Sequence, residues 1–268
     1  MQCGISSACL YPCETKDALA QIAGLQAGPV EIFLNTFREL DEDYLAGLAR
    51  TVRAAGCRVT SLHPFTCALE PFLFFTEYQN RFEDGVALYR RYFHACQLLG
   101  APLLVLHGDS RAKPGDMKVY ARRFAALARV AREDYGITLA QENVDRCRCG
   151  LPENVRLLRD YTDDTAAFVL DLKQARRAGQ DPFDLLEAMD PRNVRHLHLS
   201  DADGQRTSLP PGEGTFDFAR LYRTLRQAGN RCDGVVELYR ADFTDLHQLA
   251  DSAGRINRLI ADLEKEEA

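Results

Sequence analysis

A chain of 268 residues with a formal net charge of −6 and 46% apolar residues has the make-up of a globular protein large enough to bury a sizeable core. No basic stripe with interleaved aromatics marks a nucleic-acid surface, no apolar run approaches a membrane span, and the opening MQCGISSACLYP lacks the charged and apolar regions of a secretory signal. Nine scattered cysteines, with no CxxC pair, read as free thiols in a reducing cytoplasm, with RCRC at 146–149 as a weak soft-metal or redox signal.

Short β-rich runs alternate with helical patterns from end to end. Strands are expected at 3–7 (CGISS) and 30–34 (VEIFL), then a helix at 41–56 with an acidic first turn and a closing Gly. A strand at 57–63 precedes a helix at 77–100, and a strand at 102–107 precedes a helix at 114–136; both helices also end in Gly. Strands follow at 136–142, 166–171 and 194–200, a helix at 216–229 and a last strand at 234–239. Eight β/α units in this length predict an α/β fold, a single (β/α)8 TIM barrel forming one domain over residues 1–268. An open doubly wound sheet is the alternative. It calls for a Gly-rich phosphate turn after the first strand, and GISSACLYP is not one.

The active face of such a barrel lies at the carboxyl ends of its strands. Those positions carry Glu31, His63, His107, Glu142, Asp171, His196, His198 and Glu237. Each alone has a bland explanation as a solvated or hydrogen-bonded residue. Converging carboxylates, however, repel one another unless a cation joins them. The best ligand set is Glu142, Asp171, His198 and Glu237. Mostly hard donors suit one divalent ion, Mn²⁺ or Mg²⁺ ahead of Co²⁺ or Zn²⁺. His196 lies one pleat deeper on the face of His198 and reads as a supporting or packing residue.

The motifs QENV (141–144), VLDLKQA (169–175), HLHLSD (196–201), PPGEGTFDF (210–218) and VVELY (235–239) resemble, in order and spacing, the xylose isomerase-like barrel superfamily of sugar isomerases, epimerases and AP endonucleases. The resemblance covers nearly the whole chain. It implies that Glu142, Asp171, His198 and Glu237 are the single-metal ligands of a ketose 3-epimerase or inosose dehydratase type of site, with Glu142 and Glu237 also the catalytic acid–base pair. Many relatives have D-x-x-H where this chain has Gln174. Arg206 and Ser208 stand where the AP endonucleases have an Asp-x-His pair, so a three-zinc cluster is not implied. His63 and His107, which match metal-binding histidines of those nucleases, are read as substrate-pocket groups.

Further candidates for substrate binding are Gln174, Lys173, Glu31 and Arg240, each with a plain alternative: a supporting partner for Glu31, an ion pair for Lys173, a surface position for Arg240. Phe65, Phe72, Phe74 and Phe75 are expected to cap the site or form a subunit interface, so a homo-oligomer is one reading. The functional expectation is a divalent-metal-dependent sugar or cyclitol isomerase or epimerase that moves a proton through a metal-bound enediolate. The alternatives are a dehydratase or lyase, inosose dehydratase-like or C-glycoside-cleaving; less favoured are an AP endonuclease and a non-catalytic sugar-binding protein. The expected partner is a small sugar or cyclitol, without nucleic acid or membrane.

Overall fold

The computed structural model describes residues 1–112 and 115–266; Pro114, where one helix was expected to begin, and the last two residues of the expected domain lie outside them. In chain order the elements are β1 (Cys3–Ser6), α1 (Thr15–Gly24), β2 (Val30–Leu34), α2 (Glu42–Ala54), β3 (Val59–Pro64), α3 (Glu70–Leu73) and α4 (Gln79–Leu99). Then come β4 (Leu103–Leu106), α5 (Met117–Tyr135), β5 (Thr138–Glu142), α6 (Pro152–Tyr161), β6 (Ala167–Asp171), α7 (Leu172–Arg177) and α8 (Pro182–Met189). β7 (Val194–Leu199), α9 (Phe218–Gln227), β8 (Asp233–Val236) and α10 (Leu246–Glu266) complete the chain. The strands pair in sequence order, all parallel, and β8 returns to β1, so the sheet is a closed (β/α)8 barrel.

Local chemistry sets the helix ends. Asp116 starts α5 by accepting from Lys118 N at 2.8 Å, and Asp217 starts α9 by accepting from Arg220 N at 2.8 Å. Gly100 and Gly136, both at φ +70°, end α4 and α5 in the left-handed region that a side chain resists. The 21-residue α10 is anchored to β1 by Asn257, which accepts from Cys3 N at 2.8 Å and donates to Cys3 O at 2.9 Å.

Apolar side chains fill the shell between strands and helices. Inside the barrel, Leu103, Val105, Ala140 and Val169 form a small separate apolar cluster. Polar side chains occupy the rest of the interior: Ser6, Glu31, Ser61 and His196, all essentially inaccessible. Pairing aligns the first three of these, with Ser6 opposite Glu31 and Glu31 opposite Ser61.

Two expectations change here. β8 ends at Val236, so Glu237 stands just beyond the strand; its N–H still donates to Leu199 O at 3.1 Å, but Asp242 then turns the chain by accepting from Tyr239 N at 3.0 Å. The four phenylalanines are not equivalent: Phe72 and Phe75 line one cavity, and Phe74 meets Phe75 edge-on from the core at 6.2 Å. Phe74 is wholly buried edge-on to Tyr89 at 4.7 Å, Phe75 stacks on Tyr120 at 4.1 Å, Phe65 meets Phe37 at 4.9 Å, and Phe72 is 53% exposed.

Candidate metal centre at the barrel mouth

β5, β6 and β7 each deliver a side chain from their carboxyl-terminal residues, and Glu237 follows one residue after β8. Glu142, Asp171, His198 and Glu237 each place a donor atom within 4.8 Å of the others. His198 Nδ1 is the focus. It lies 2.8 Å from Glu237 Oε2, 3.1 Å from Glu142 Oε1 and 3.7 Å from Asp171 Oδ2. The backbone around the cluster is braced: Asn143 accepts from Asp171 N at 2.7 Å and donates to Asp171 O at 2.8 Å, and Asp171 Oδ1 accepts from Gln174 N at 2.7 Å.

Glu142 Oε2, Asp171 Oδ2 and Glu237 Oε2 are buried and have no hydrogen-bond partner. A buried ionised carboxylate without compensation is destabilised by several kcal/mol or more. Three on adjacent elements, with one imidazole between them, have the donor chemistry of an oxygen-rich divalent-cation site. The residues present therefore fit such an ion.

The proton affinities follow this geometry. Burial works against a charged His198, yet Glu237, Glu31 and Glu142 carry it well above the usual histidine range. Burial likewise opposes ionisation of Glu237, but His198 and Lys173 hold it down at about 2. Asp171 goes the other way: its burial, reinforced by Glu237 and Glu142 and only partly offset by Lys173 and His198, raises it to about 6.

Lys173, on the first turn of α7, is 2% exposed. Its Nζ lies 3.8 Å from Asp171 Oδ2 and 3.9 Å from Glu237 Oε1, beneath the Tyr239 ring at 4.5 Å. Burial disfavours its charge, but Glu237 and Asp171 more than compensate and raise its proton affinity. This is the ion-pair arrangement, directed at two of the cluster's carboxylates.

His63 and His107 form a neighbouring group with Glu142, also within 4.8 Å of one another. His107 Nε2 is 3.0 Å from Glu142 Oε2 and 2.9 Å from His63 Nε2, while His63 Nδ1 faces Pro64 O at 3.1 Å. Gln174 accepts from Asp145 N at 3.2 Å, which ties α7 to the segment after β5. Arg240 is exposed; it donates to Phe243 O at 3.2 Å and lies over the Phe243 ring at 4.8 Å, so its guanidinium is used outside the cluster. Glu31 is 0% exposed and sits under His198.

Four contributors escaped the sequence reading. Ser6 and Ser61 hold Glu31, and their signal was a serine at an inward-phased strand position, Ser61 two residues before His63. Tyr239 covers Lys173, and no pattern in the sequence announced it. Asp201, in the quoted HLHLSD motif, accepts from Gly212 N at 2.9 Å and Phe216 N at 3.0 Å, so it shapes the PPGEG turn.

A family model described as xylose isomerase-like TIM barrel matches residues 19–258. Among solved structures, a D-tagatose 3-epimerase-like protein superposes with a TM-score of 0.79 at 18% identity, covering 100% of both chains. A D-psicose 3-epimerase from Clostridium cellulolyticum H10 gives 0.77 at 14% identity, covering 98% of this chain and 99% of that one. The 3-keto-D-glucoside 4-epimerase of E. coli gives 0.74 at 16%, covering 96% and 99%. At these identities the likeness carries the fold. Among the described residues, no helix is long and apolar enough to cross a membrane.

Proposed function

The chain belongs to the xylose isomerase-like TIM barrel family, and from that premise we propose that it is a divalent-metal-dependent isomerase or epimerase of a sugar or cyclitol. One observation supports this above the rest: three carboxylates, each with a buried oxygen lacking a hydrogen-bond partner, converge with His198 Nδ1 at the strand ends. The epimerase names of the superposing structures agree in kind: tagatose-like and psicose 3-epimerases, and a keto-glucoside 4-epimerase.

Glu142, Asp171, His198 and Glu237 would hold the ion. When bound, it supplies Lewis-acid polarisation of a substrate carbonyl and a template for adjacent oxygens. Glu142 and Glu237 approach the same point from β5 and from beyond β8, so a C–H between them meets a carboxylate on either side. One takes the proton next to the carbonyl and the other returns one, to the opposite face or to the neighbouring carbon. Lys173, fixed beside Asp171 and Glu237, adds positive charge that favours the deprotonated substrate. His107, whose Nδ1 is also without a partner, is the pocket group nearest Glu142, with His63 behind it. Gln174 orients substrate hydroxyls from the rim.

The deciding experiment joins metal analysis of protein purified without chelator to solvent-deuterium incorporation across a panel of ketoses and inososes. One ion per chain and deuterium at a carbon next to the carbonyl are expected. A chain that binds no divalent ion, or three zinc ions, overturns the reading.

A further inference from the structure

Beneath the candidate centre lies a second carboxylate that the proposed chemistry does not use. Glu31 stands on β2 inside the barrel, with its side chain fully enclosed. Its Oε1 accepts from Ser6 Oγ at 2.8 Å; its Oε2 accepts from Ser61 Oγ at 2.7 Å and faces His198 Nε2 at 3.0 Å. His196 Nε2 lies 3.3 Å from the same Oε2 and 3.1 Å from Ser61 Oγ. With the Ser61 hydroxyl proton directed to Glu31, its oxygen is left to accept from His196.

These contacts settle what Glu31 can do. An ionised carboxylate only accepts, so the group facing it from His198 must be Nε2–H. That leaves Nδ1 as the nitrogen that can offer a lone pair to an ion held among the three carboxylates above. Glu31, His196 and His198 also lie within 4.8 Å of one another. Yet the Glu31 oxygens are filled by protein donors, and neither they nor the rings are reached by solvent, so this lower group is a hydrogen-bonded support and not a second ion site.

We propose that Glu31 is a positioning residue: held by Ser6 and Ser61, it fixes the tautomer and tilt of His198 and so sets the affinity of the ion site from one layer below. The inference rests on the metal-site reading of Glu142, Asp171, His198 and Glu237. A carboxylate behind a metal-binding histidine raises the basicity of the ligand nitrogen, and losing it typically weakens metal binding about 10- to 100-fold.

The test is Mn²⁺ binding to the chelator-stripped full chain by calorimetry, for wild type, Glu31→Gln and Ser61→Ala, with a melting curve for each. The expected result is one Mn²⁺ per chain throughout, held about 10- to 100-fold more weakly by Glu31→Gln and a few-fold more weakly by Ser61→Ala. In addition, ¹⁵N-histidine NMR of the Mg²⁺-loaded wild type should show the His198 proton on Nε2, with that N–H signal shifted in Mg²⁺-loaded Glu31→Gln as its carboxylate acceptor is replaced by an amide. Equal Mn²⁺ affinity in wild type and Glu31→Gln, whatever the melting curves do, overturns the role of Glu31 and leaves the ion site standing. Two Mn²⁺ per wild-type chain, one of them lost in Glu31→Gln, overturns it in favour of a lower ion site. If the wild type binds no Mn²⁺, the ion-site reading itself fails, and the Glu31 role fails with it. Should Glu31→Gln not fold, Ser61→Ala carries the comparison, and unchanged affinity there is equally fatal.

Discussion

The two nitrogens of His198 look onto two carboxylate environments built on opposite principles. Around Nδ1, Glu142, Asp171 and Glu237 each leave an oxygen without a hydrogen-bond donor. Below Nε2, Glu31 has donors on both oxygens, from Ser6, Ser61 and His198. Glu31, Glu142 and Asp171 are all buried and Glu237 is only 13% exposed, so burial does not separate the two sets. What separates them is saturation. A carboxylate whose oxygens are filled by the protein is accounted for, whereas open buried oxygens call for an explanation, which the proposed ion would supply.

The largest expected effect lies on the open side. Glu142→Gln, Asp171→Asn and His198→Ala should each lose most of the bound metal and lower kcat/KM by about 10³-fold or more, roughly 4 kcal/mol, measured on whichever ketose or inosose the panel identifies. Activity retained in all three would erase the contrast.

The same open side should be a source of instability until it is filled. Chelation should lower the melting temperature by roughly 5–10 °C, since saturating ligand at a hundredfold its Kd contributes about 2.7 kcal/mol and a chain of this size shifts about 2–4 °C per kcal/mol. Calorimetric scans with Mn²⁺ and with chelator check this, and no shift would count against a site strained by its own charges.

Lys173→Met removes the fixed cation from between Asp171 and Glu237. The metal-free protein should lose about 3 kcal/mol in urea denaturation, because uncompensated buried charges are left behind, and part of the loss should return on adding Mn²⁺. Equal losses with and without Mn²⁺ would mean that lysine and ion do not share those carboxylates.

Asp171→Asn should act in the opposite sense. Burial raises the folded-state value of Asp171 from 3.8 to about 6. Its protonation therefore contributes stability that is complete below about 4 and lost as pH rises through about 6. At pH 8 in chelator the variant should be the more stable protein by roughly 1–3 kcal/mol, with the gap closing towards pH 4. Asn keeps the helix cap that Asp171 provides to Gln174 N. A gap independent of pH would dissociate the effect from charge.

The smallest effect belongs to Arg240→Ala. With its guanidinium on Phe243, kcat/KM should change less than about twofold, within the usual ±0.5 kcal/mol of a surface substitution.

Much of the arrangement above His198 was legible in the sequence. Glu142 and Asp171 close their strands, and His198 sits at an inward phase of β7, so a reading of strand ends finds them once the barrel is recognised. The lower arrangement was not legible. Glu31 is second in its strand, three residues short of Leu34, so its setback from the tip could be read, but nothing local shows that two serines and His198 fill its oxygens. Lys173 and Arg240 each follow a candidate ligand closely and both were candidates for substrate binding, with an ion pair and a surface position as their plain alternatives; one is folded into the site and the other onto Phe243.

By itself the sequence determined the β/α rhythm, the helix ends and the face of each strand on which a side chain stands, because periodicity and capping are local properties of the chain. Only the tertiary structure decided depth. Strand register sets which layer of the barrel an inward residue enters, and here register slips between Val30 and Glu31 against β3 and between Phe168 and Val169 against β7. A shift of that kind cannot be read from either strand alone, since it exists only in the pairing. The first slip sets Glu31 opposite Ser61, with Ser6 on its other side in unbroken register, and beyond the second Asp171 pairs with His198 at the mouth.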